Sequence, residues 1–204
     1  MDLSIDLDEL GTLHGTDKCS LAHDYLRHYA AMVERFRSSP ITLLEIGVFR
    51  GGSLRMWEDY LPLATIVGVD IQEHCRQHAG GRRIVEIGSQ ADPEFLGTIG
   101  TKYLPSIVID DGSHRADHIQ MTFETLFPHL QDGGLYLIED VHFHAGRSGE
   151  ALRGTATLSP QQYFTPLACL AVGSGAGYSF DPAIVHMTDR VEFFHGAIAF
   201  WKKG

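Results

Sequence analysis

The sequence predicts an α/β fold, Rossmann-like, with a mostly parallel seven-stranded sheet, helices on both faces and an antiparallel strand at the C-terminal edge. Three observations carry this. Short apolar runs alternate with helical patterns five times over, which is how a parallel sheet covered by crossover helices reads in a sequence. No internal repeat or low-complexity tract competes with that pattern. The last two apolar segments, 183–188 and 191–202, have only Asp189 and Arg190 between them. A link that short joins antiparallel strands, because a parallel crossover needs roughly a dozen residues.

In chain order, the first helix is expected over 18–37. There Leu21, Tyr25, Tyr29, Met32, Val33 and Phe36 recur at three- and four-residue steps, and Ser38-Ser39-Pro40 ends it. Residues 41–46 read as the first strand. Ser53 to Tyr60 is a short helix with Leu54 and Trp57 on one face and Pro62 after it. Strands follow at 64–70 and 83–87. Asp92-Pro93 is an N-cap with proline at the first helical position. Residues 106–110 form the fourth strand, 118–130 a helix, and 135–138 the fifth strand, after Gly133-Gly134. The polar stretch 143–159, rich in Gly and Ser, is a loop long enough to serve as a lid over substrate. A helix is expected near 160–172.

With 204 residues the chain suits a single domain, 1–204, in which 1–38 is an N-terminal helical cap segment. The charge balance is 16 − 26 = −10 with His neutral, which excludes the basic footprint of a nucleic-acid or membrane-surface binder. The cysteines Cys19, Cys75 and Cys169 form no C-x-x-C pair, so neither a zinc knuckle nor a disulfide framework is expected. The first nine residues are acidic and unlike a signal peptide, and no run approaches the roughly 20 apolar residues of a membrane span. The expectation is a soluble, cytoplasmic protein. The oligomeric state is left open, a homo-oligomer included.

Function is legible in the acids at the strand ends. Glu45 ends the first strand, Asp70 the second, Asp110 and Asp111 the fourth, Glu139 and Asp140 the fifth. In an open α/β sheet those ends line the ligand crevice, and buried carboxylates are costly unless paired or metal-bound. The glycine-rich turn from Glu45 through Gly47, Gly51 and Gly52 to Ser53 presents free amides at a helix start. Its glycines are spaced G-x-x-x-G-G, not as the dinucleotide fingerprint G-x-G-x-x-G. Glu45 would repel a pyrophosphate and suits a cationic ligand, such as a sulfonium with an amino group. Asp70, 25 residues further on, stands where an acid commonly holds a ribose diol. Together these point to S-adenosylmethionine rather than NAD.

Asp111, Glu139 and Asp140 offer three hard oxygen donors with no thiolate nearby, a set for Mg²⁺ (or Mn²⁺) or Ca²⁺. His114, three residues after Asp111, is placed to accept a hydroxyl proton. Phe193, Phe194, Phe200 and Trp201 are expected in core and sheet surface. His142 and His144 form an H-x-H that either ligates zinc or lines the mouth of a substrate pocket.

These segments resemble the metal-dependent class I S-adenosylmethionine O-methyltransferases that modify sugars of macrolides and other natural products in antibiotic biosynthesis, such as the mycinamicin VI 2''-O-methyltransferase type. The likeness rests on Gly15-Thr16-Asp17-Lys18, Leu44-Glu45-Ile46-Gly47-Val48, the stretch from Gly51 to Trp57, and Val69-Asp70-Ile71. It continues in Ile109-Asp110-Asp111-Gly112-Ser113-His114, Gly133-Gly134-Leu135-Tyr136 and Ile138-Glu139-Asp140-Val141-His142. It runs from about 14 to 142; the segment after 142 does not match clearly, and the chain is short beside such enzymes.

The resemblance implies the class I methyltransferase fold and an acceptor that is a glycosylated natural product. It implies cofactor contacts from Lys18, Gly47, Asp70, Ile71, Ser89, Gln90 and Asp110, with the adenine near Ser89 and Gln90. It also implies metal ligation by Asp111, Glu139 and Asp140, with Asp111 touching substrate as well, and His114 as the proton acceptor. The rival expectations are a catechol-like phenolic O-methyltransferase, a nucleotide-binding oxidoreductase, and a non-catalytic ligand-binding or assembly subunit.

Overall fold

A computed structural model describes residues 6–174 and 177–204, side chains of 146–148 excepted. The chain divides into two compact units, one running to Gly88 and one starting at Ser89.

The first unit opens with α1 (Leu7–His14), which the sequence reading missed although its signals were present. Asp6 caps it, accepting from the amides of Asp8 and Glu9, and Gly15 ends it at φ 68°. The helix expected over 18–37 is corrected to α2 (Leu26–Val33) and a single 3₁₀ turn, Glu34–Phe36. Residues 17–23 are turns. The Lys18 carbonyl accepts from the amides of both Tyr25 and Leu26, and Asp24 sits at φ 57°, which no helix accommodates. Leu21, counted to the apolar face, is left 79% exposed.

Three strands follow the expected order: β1 (Thr42–Ile46), β2 (Thr65–Asp70) after α3 (Gly52–Tyr60), and β3 (Arg83–Ile87). β2 is central, parallel to β1 with Leu44 opposite Val67 and to β3 with Gly68 opposite Val85. Along β1, Leu43, Leu44, Glu45 and Ile46 are all buried, the two-sided burial of a parallel sheet. Glu45 is the one charged member of that run.

The second unit begins with α4 (Pro93–Tyr103), capped by Asp92 as the Asp-Pro pair predicted. It continues through β4 (Ile107–Asp110), α5 (Ala116–Leu126), β5 (Leu135–Ile138), α6 (Gly146–Ala151), α7 (Pro160–Ala171), α8 (Pro182–Met187), β6 (Thr188–Phe194) and β7 (Ala197–Lys202). β4 and β5 are parallel, while β7 lies antiparallel to both β5 and β6. The antiparallel edge is therefore present, but its segments are shifted. Of residues 183–188, expected as a strand, 183–187 fall on α8 and only Thr188 belongs to a strand, β6: Asp181 accepts from the amides of Ala183 and Ile184, with Pro182 at the first position. This is the same start signal as at Asp92. Asp189 and Arg190 lie inside β6, and the hairpin turns at His195-Gly196, where Gly196 takes φ 73°. The stretch 143–159 is not all loop, since α6 occupies part of it.

Phe123 of α5 is fully buried among Phe127, Tyr136, Phe164 and Phe200, with ring centroids 4.5–5.1 Å away. Phe200 and Trp201 are core, as expected, whereas Phe193 is half exposed. Phe123→Ala is expected to destabilise the protein by about 3–5 kcal/mol, read from the midpoint of urea unfolding. A loss below about 1 kcal/mol would mean that the unit does not depend on this aromatic cluster.

Candidate active site

In the first unit the glycine turn is built around two carboxylates. Glu45 has no exposed surface; Lys18, itself buried, places Nζ 3.3 Å from its Oε1. The Ser53 hydroxyl donates to Oε2 at 2.7 Å. A buried charge costs several kcal/mol unless it is paired and hydrogen-bonded, which explains why residues 17–23 turn back rather than continue as helix. The side chain expected to meet a cationic ligand directly is thus held inside its own unit, by two of the other expected cofactor residues.

Gly47 (φ 99°) and Gly51 (φ 66°) supply conformations that side chains resist. A Cβ on Gly51 would stand 2.6 Å from the His78 ring. The turn's amides at Val48 and Phe49 donate to Asp70 Oδ2 at 2.9 and 3.1 Å, and the Gln72 amide donates to Oδ1 at 2.8 Å. Burial pushes the Asp70 carboxyl up, but these amides more than offset it and hold it below the ordinary carboxylate value. Asp70 therefore fixes the shape of the turn. Phe49 and Ile71 are exposed beside it.

The second unit gathers the acids that follow β4 and β5. Asp111, His114 and Asp140 bring one ligand atom each within 4.8 Å of one another, and His114 Nε2 is 3.6 Å from Asp140 Oδ2. Glu139 is buried next to Asp140 but stands outside that group. The structure thus joins Asp111 to Asp140, as the residue types predicted, and adds His114 in place of Glu139. His114 (φ 55°) and Asp140 (φ 58°) both occupy the left-handed region, a strain that persists where the surroundings over-determine it and that clusters at functional sites.

Two residues that the sequence reading placed elsewhere shape this loop. Gln90 is buried; its Nε2 donates to Asp110 Oδ1 at 2.6 Å and its Oε1 accepts from the Ser113 amide at 2.9 Å. Burial pushes the Asp110 carboxyl up to about 7, against the hydrogen bonds from Gln90 and the Gly112 amide. His144 is buried too, with Nε2 2.9 Å from the His114 carbonyl oxygen. Burial lowers the His144 pKa, so the neutral ring donates that bond. The H-x-H is split as a result: His144 braces the backbone while His142 lies 3.9 Å from Asp140. Ser89 accepts from the Ala91 amide. Nothing local in the sequence marks His144 as a brace, because its partner is a carbonyl 30 residues away.

Asp117 pins the polar stretch. It takes both arms of Arg115 and accepts from the amide and hydroxyl of Thr155, while the Ala116 amide donates to the Leu152 carbonyl. The Arg115 guanidinium and Thr155 hold the Asp117 carboxyl well below the usual carboxylate range.

The methyltransferase-domain family matches residues 44–141. The chain carries a methyltransferase domain. It is 42% identical over 145 residues to mycinamicin VI 2''-O-methyltransferase of Micromonospora griseorubida, covering 67% of this chain and 36% of that protein. It is 37% identical over 165 residues to demethylmacrocin O-methyltransferase of Streptomyces fradiae, covering 76% of this chain and 41% of that protein. Among solved structures it is similar to the MycE methyltransferase of the mycinamycin biosynthetic pathway, in complex with Mg, SAH and mycinamycin VI. That match has a TM-score of 0.86 at 29% identity, over 98% of this chain and 55% of MycE. The chain therefore has the expected fold class, but spans only 36–41% of the length of these two curated relatives. Among the described residues no helix is long and apolar enough to cross a membrane.

Lys18→Met strands Glu45 as an uncompensated buried charge and is expected to cost about 3–5 kcal/mol of stability. Lys18→Met with Glu45→Gln should recover most of that loss in chemical denaturation, and failure to recover would show that the pair is not the cause. Asp117 has its pKa lowered on folding. Its stabilisation is thus in place above the ordinary value of 3.8 and is lost as pH falls through the lowered one. Asp117→Asn should therefore be less stable by about 1–2 kcal/mol at neutral pH, with the gap to the parent closing below about pH 4 in urea unfolding across pH. A gap independent of pH would rule out the ionised carboxylate as its source.

Proposed function

We propose that this chain is an S-adenosylmethionine- and Mg²⁺- (or Mn²⁺-) dependent O-methyltransferase. Its acceptor is a hydroxyl of a sugar or deoxysugar on a glycosylated natural product, such as a macrolide or other antibiotic. The observation that carries it is the convergence of Asp111, His114 and Asp140 in a chain whose methyltransferase-domain match covers the same residues. Two carboxylates and an imidazole, without a thiolate, fit a hard divalent cation. Asp111 and Asp140 are assigned as its ligands, with Glu139 beside them at the end of β5. When bound, the cation supplies the positive charge that lowers the pKa of a coordinated hydroxyl and orients a vicinal pair.

S-adenosylmethionine enters as a consumed substrate. Gly47, Gly51 and Ser53 shape the turn that takes its amino-acid end, over the Lys18–Glu45 pair. Asp70 is assigned to the ribose, and Ile71, Ser89 and Asp110 are assigned as further cofactor contacts. His114 accepts the acceptor's hydroxyl proton on Nε2, and the carboxylate of Asp140 at 3.6 Å stabilises the imidazolium that forms. The acceptor oxygen forms its bond to the methyl carbon as the sulfur–carbon bond breaks, leaving a neutral thioether.

The sugar acceptor is favoured over a catechol-like phenol because several relatives are named for rhamnosyl or olivosyl substrates, among them a rhamnosyl tetracenomycin C 2'-O-methyltransferase of Streptomyces olivaceus. The methyltransferase-domain match argues against an oxidoreductase. The methyl donor is a cytosolic metabolite, which supports a cytoplasmic location.

Methyl transfer from labelled S-adenosylmethionine to a demethylated macrolide glycoside should be abolished by EDTA and restored by Mg²⁺. Asp111→Asn should keep binding S-adenosylhomocysteine while turnover falls at least about 100-fold; undiminished turnover would remove the metal from the reaction. His114→Ala should lower kcat by about 10²–10⁴ with little change in acceptor KM, and a parental single-turnover rate would assign the proton to another acceptor.

A further inference from the structure

We propose that Gln90 is a positioning residue that shapes the Asp110–His114 arch, rather than a contact to the cofactor's adenine. This rests on the function proposed above and deepens it. A glutamine amide has one end that donates and one that accepts, and here each end is used within the same short stretch of chain. Nε2 donates to Asp110, the last residue of β4, and Oε1 accepts from the backbone amide of Ser113. The span between those anchors contains Asp111, and His114 follows directly. One buried side chain thus ties both feet of the arch that presents a metal ligand and the proton acceptor.

The orientation of that amide is dictated by its neighbours. Turned over, it would set its oxygen against the Asp110 carboxylate and its NH₂ against the Ser113 N–H, losing both bonds at once. Gln90 is itself held by a tight turn, in which the Ser89 hydroxyl accepts from the Ala91 amide and the Ser89 carbonyl accepts from the Asp92 amide. From there the chain enters α4 through the Asp92 cap. The backbone of the arch also carries the left-handed His114, so the clamp at Ser113 works immediately before the strained residue. Turning the amide toward an adenine ring would release one foot of the arch. In tuned metal sites, partners of this kind typically change affinity or activity by about 10- to 100-fold.

The test uses the whole chain with Gln90→Met, which keeps the bulk and removes both bonds. Gln90→Glu is the second variant; it can still accept from Ser113 but cannot donate to Asp110 as a carboxylate. Three readouts are taken: hydrogen exchange at the Ser113 amide, Mn²⁺ affinity by electron paramagnetic resonance, and S-adenosylhomocysteine affinity by calorimetry. In Gln90→Met, exchange at Ser113 should quicken about tenfold, while Gln90→Glu keeps its protection. Both variants should bind Mn²⁺ about 10- to 100-fold more weakly and S-adenosylhomocysteine within about threefold of the parent. Parental exchange at Ser113 in Gln90→Met overturns the proposal. So does a loss of S-adenosylhomocysteine affinity as large as the loss for Mn²⁺, which would make Gln90 a cofactor contact. If Gln90→Met fails to fold, Gln90→Glu decides by the split between the two ligands. A parent chain that binds no Mn²⁺ would defeat the proposed metal-dependent function, and the exchange comparison would then decide the clamp by itself.

Discussion

Glu45 is a carboxylate with no surface in water, and much of the first unit is arranged to make that tolerable. An ionised side chain at the end of a buried strand needs a countercharge and hydrogen bonds, because desolvation alone costs several kcal/mol, a large share of a small domain's margin of stability. Lys18 supplies the charge and Ser53 the hydrogen bond. One partner comes from a segment that gives up helix to reach the strand; the other stands in the first turn of the helix after the glycine turn. The backbone on both sides of the turn is therefore tied to one buried acid.

The second unit solves a related problem differently. Its acids at the ends of β4 and β5 meet amides and imidazoles. Asp110 is met by the Gln90 amide, Asp140 has the imidazoles of His114 and His142 within 3.6–3.9 Å, and the arch between them carries left-handed backbone at His114. Asp111, His114 and Asp140 gather hard donors of the kind a divalent cation takes, whereas Glu45 is held by Lys18 and Ser53. The two kinds of carboxylate look alike in the sequence, yet one is tied into a turn and the other gathers with an imidazole.

The polar stretch after β5 is fastened rather than free. Asp117 grips Thr155, and the imidazole of His144 donates to the backbone of His114. Movement of this stretch would be felt at the arch through two short hydrogen-bonded links.

What the residues alone determined was the α/β class, the order of the five parallel-type strands, the antiparallel edge, and the acids at the strand ends. These follow from periodicity and from the cost of burying charge, both of which are local properties of a sequence. Boundaries depended on competition with distant groups and were less legible. A helical pattern over 18–37 yielded to the demand of Glu45 for Lys18, and an apolar run at 183–188 yielded to an Asp-Pro helix start that was legible but passed over. Which carboxylates pair, which cluster, and which neutral side chains brace them was decided only by the tertiary structure. Gln90 meets Asp110 across 20 residues and His144 meets His114 across 30, and no spacing rule within one element encodes a contact that exists only once the sheet has brought its strand ends together.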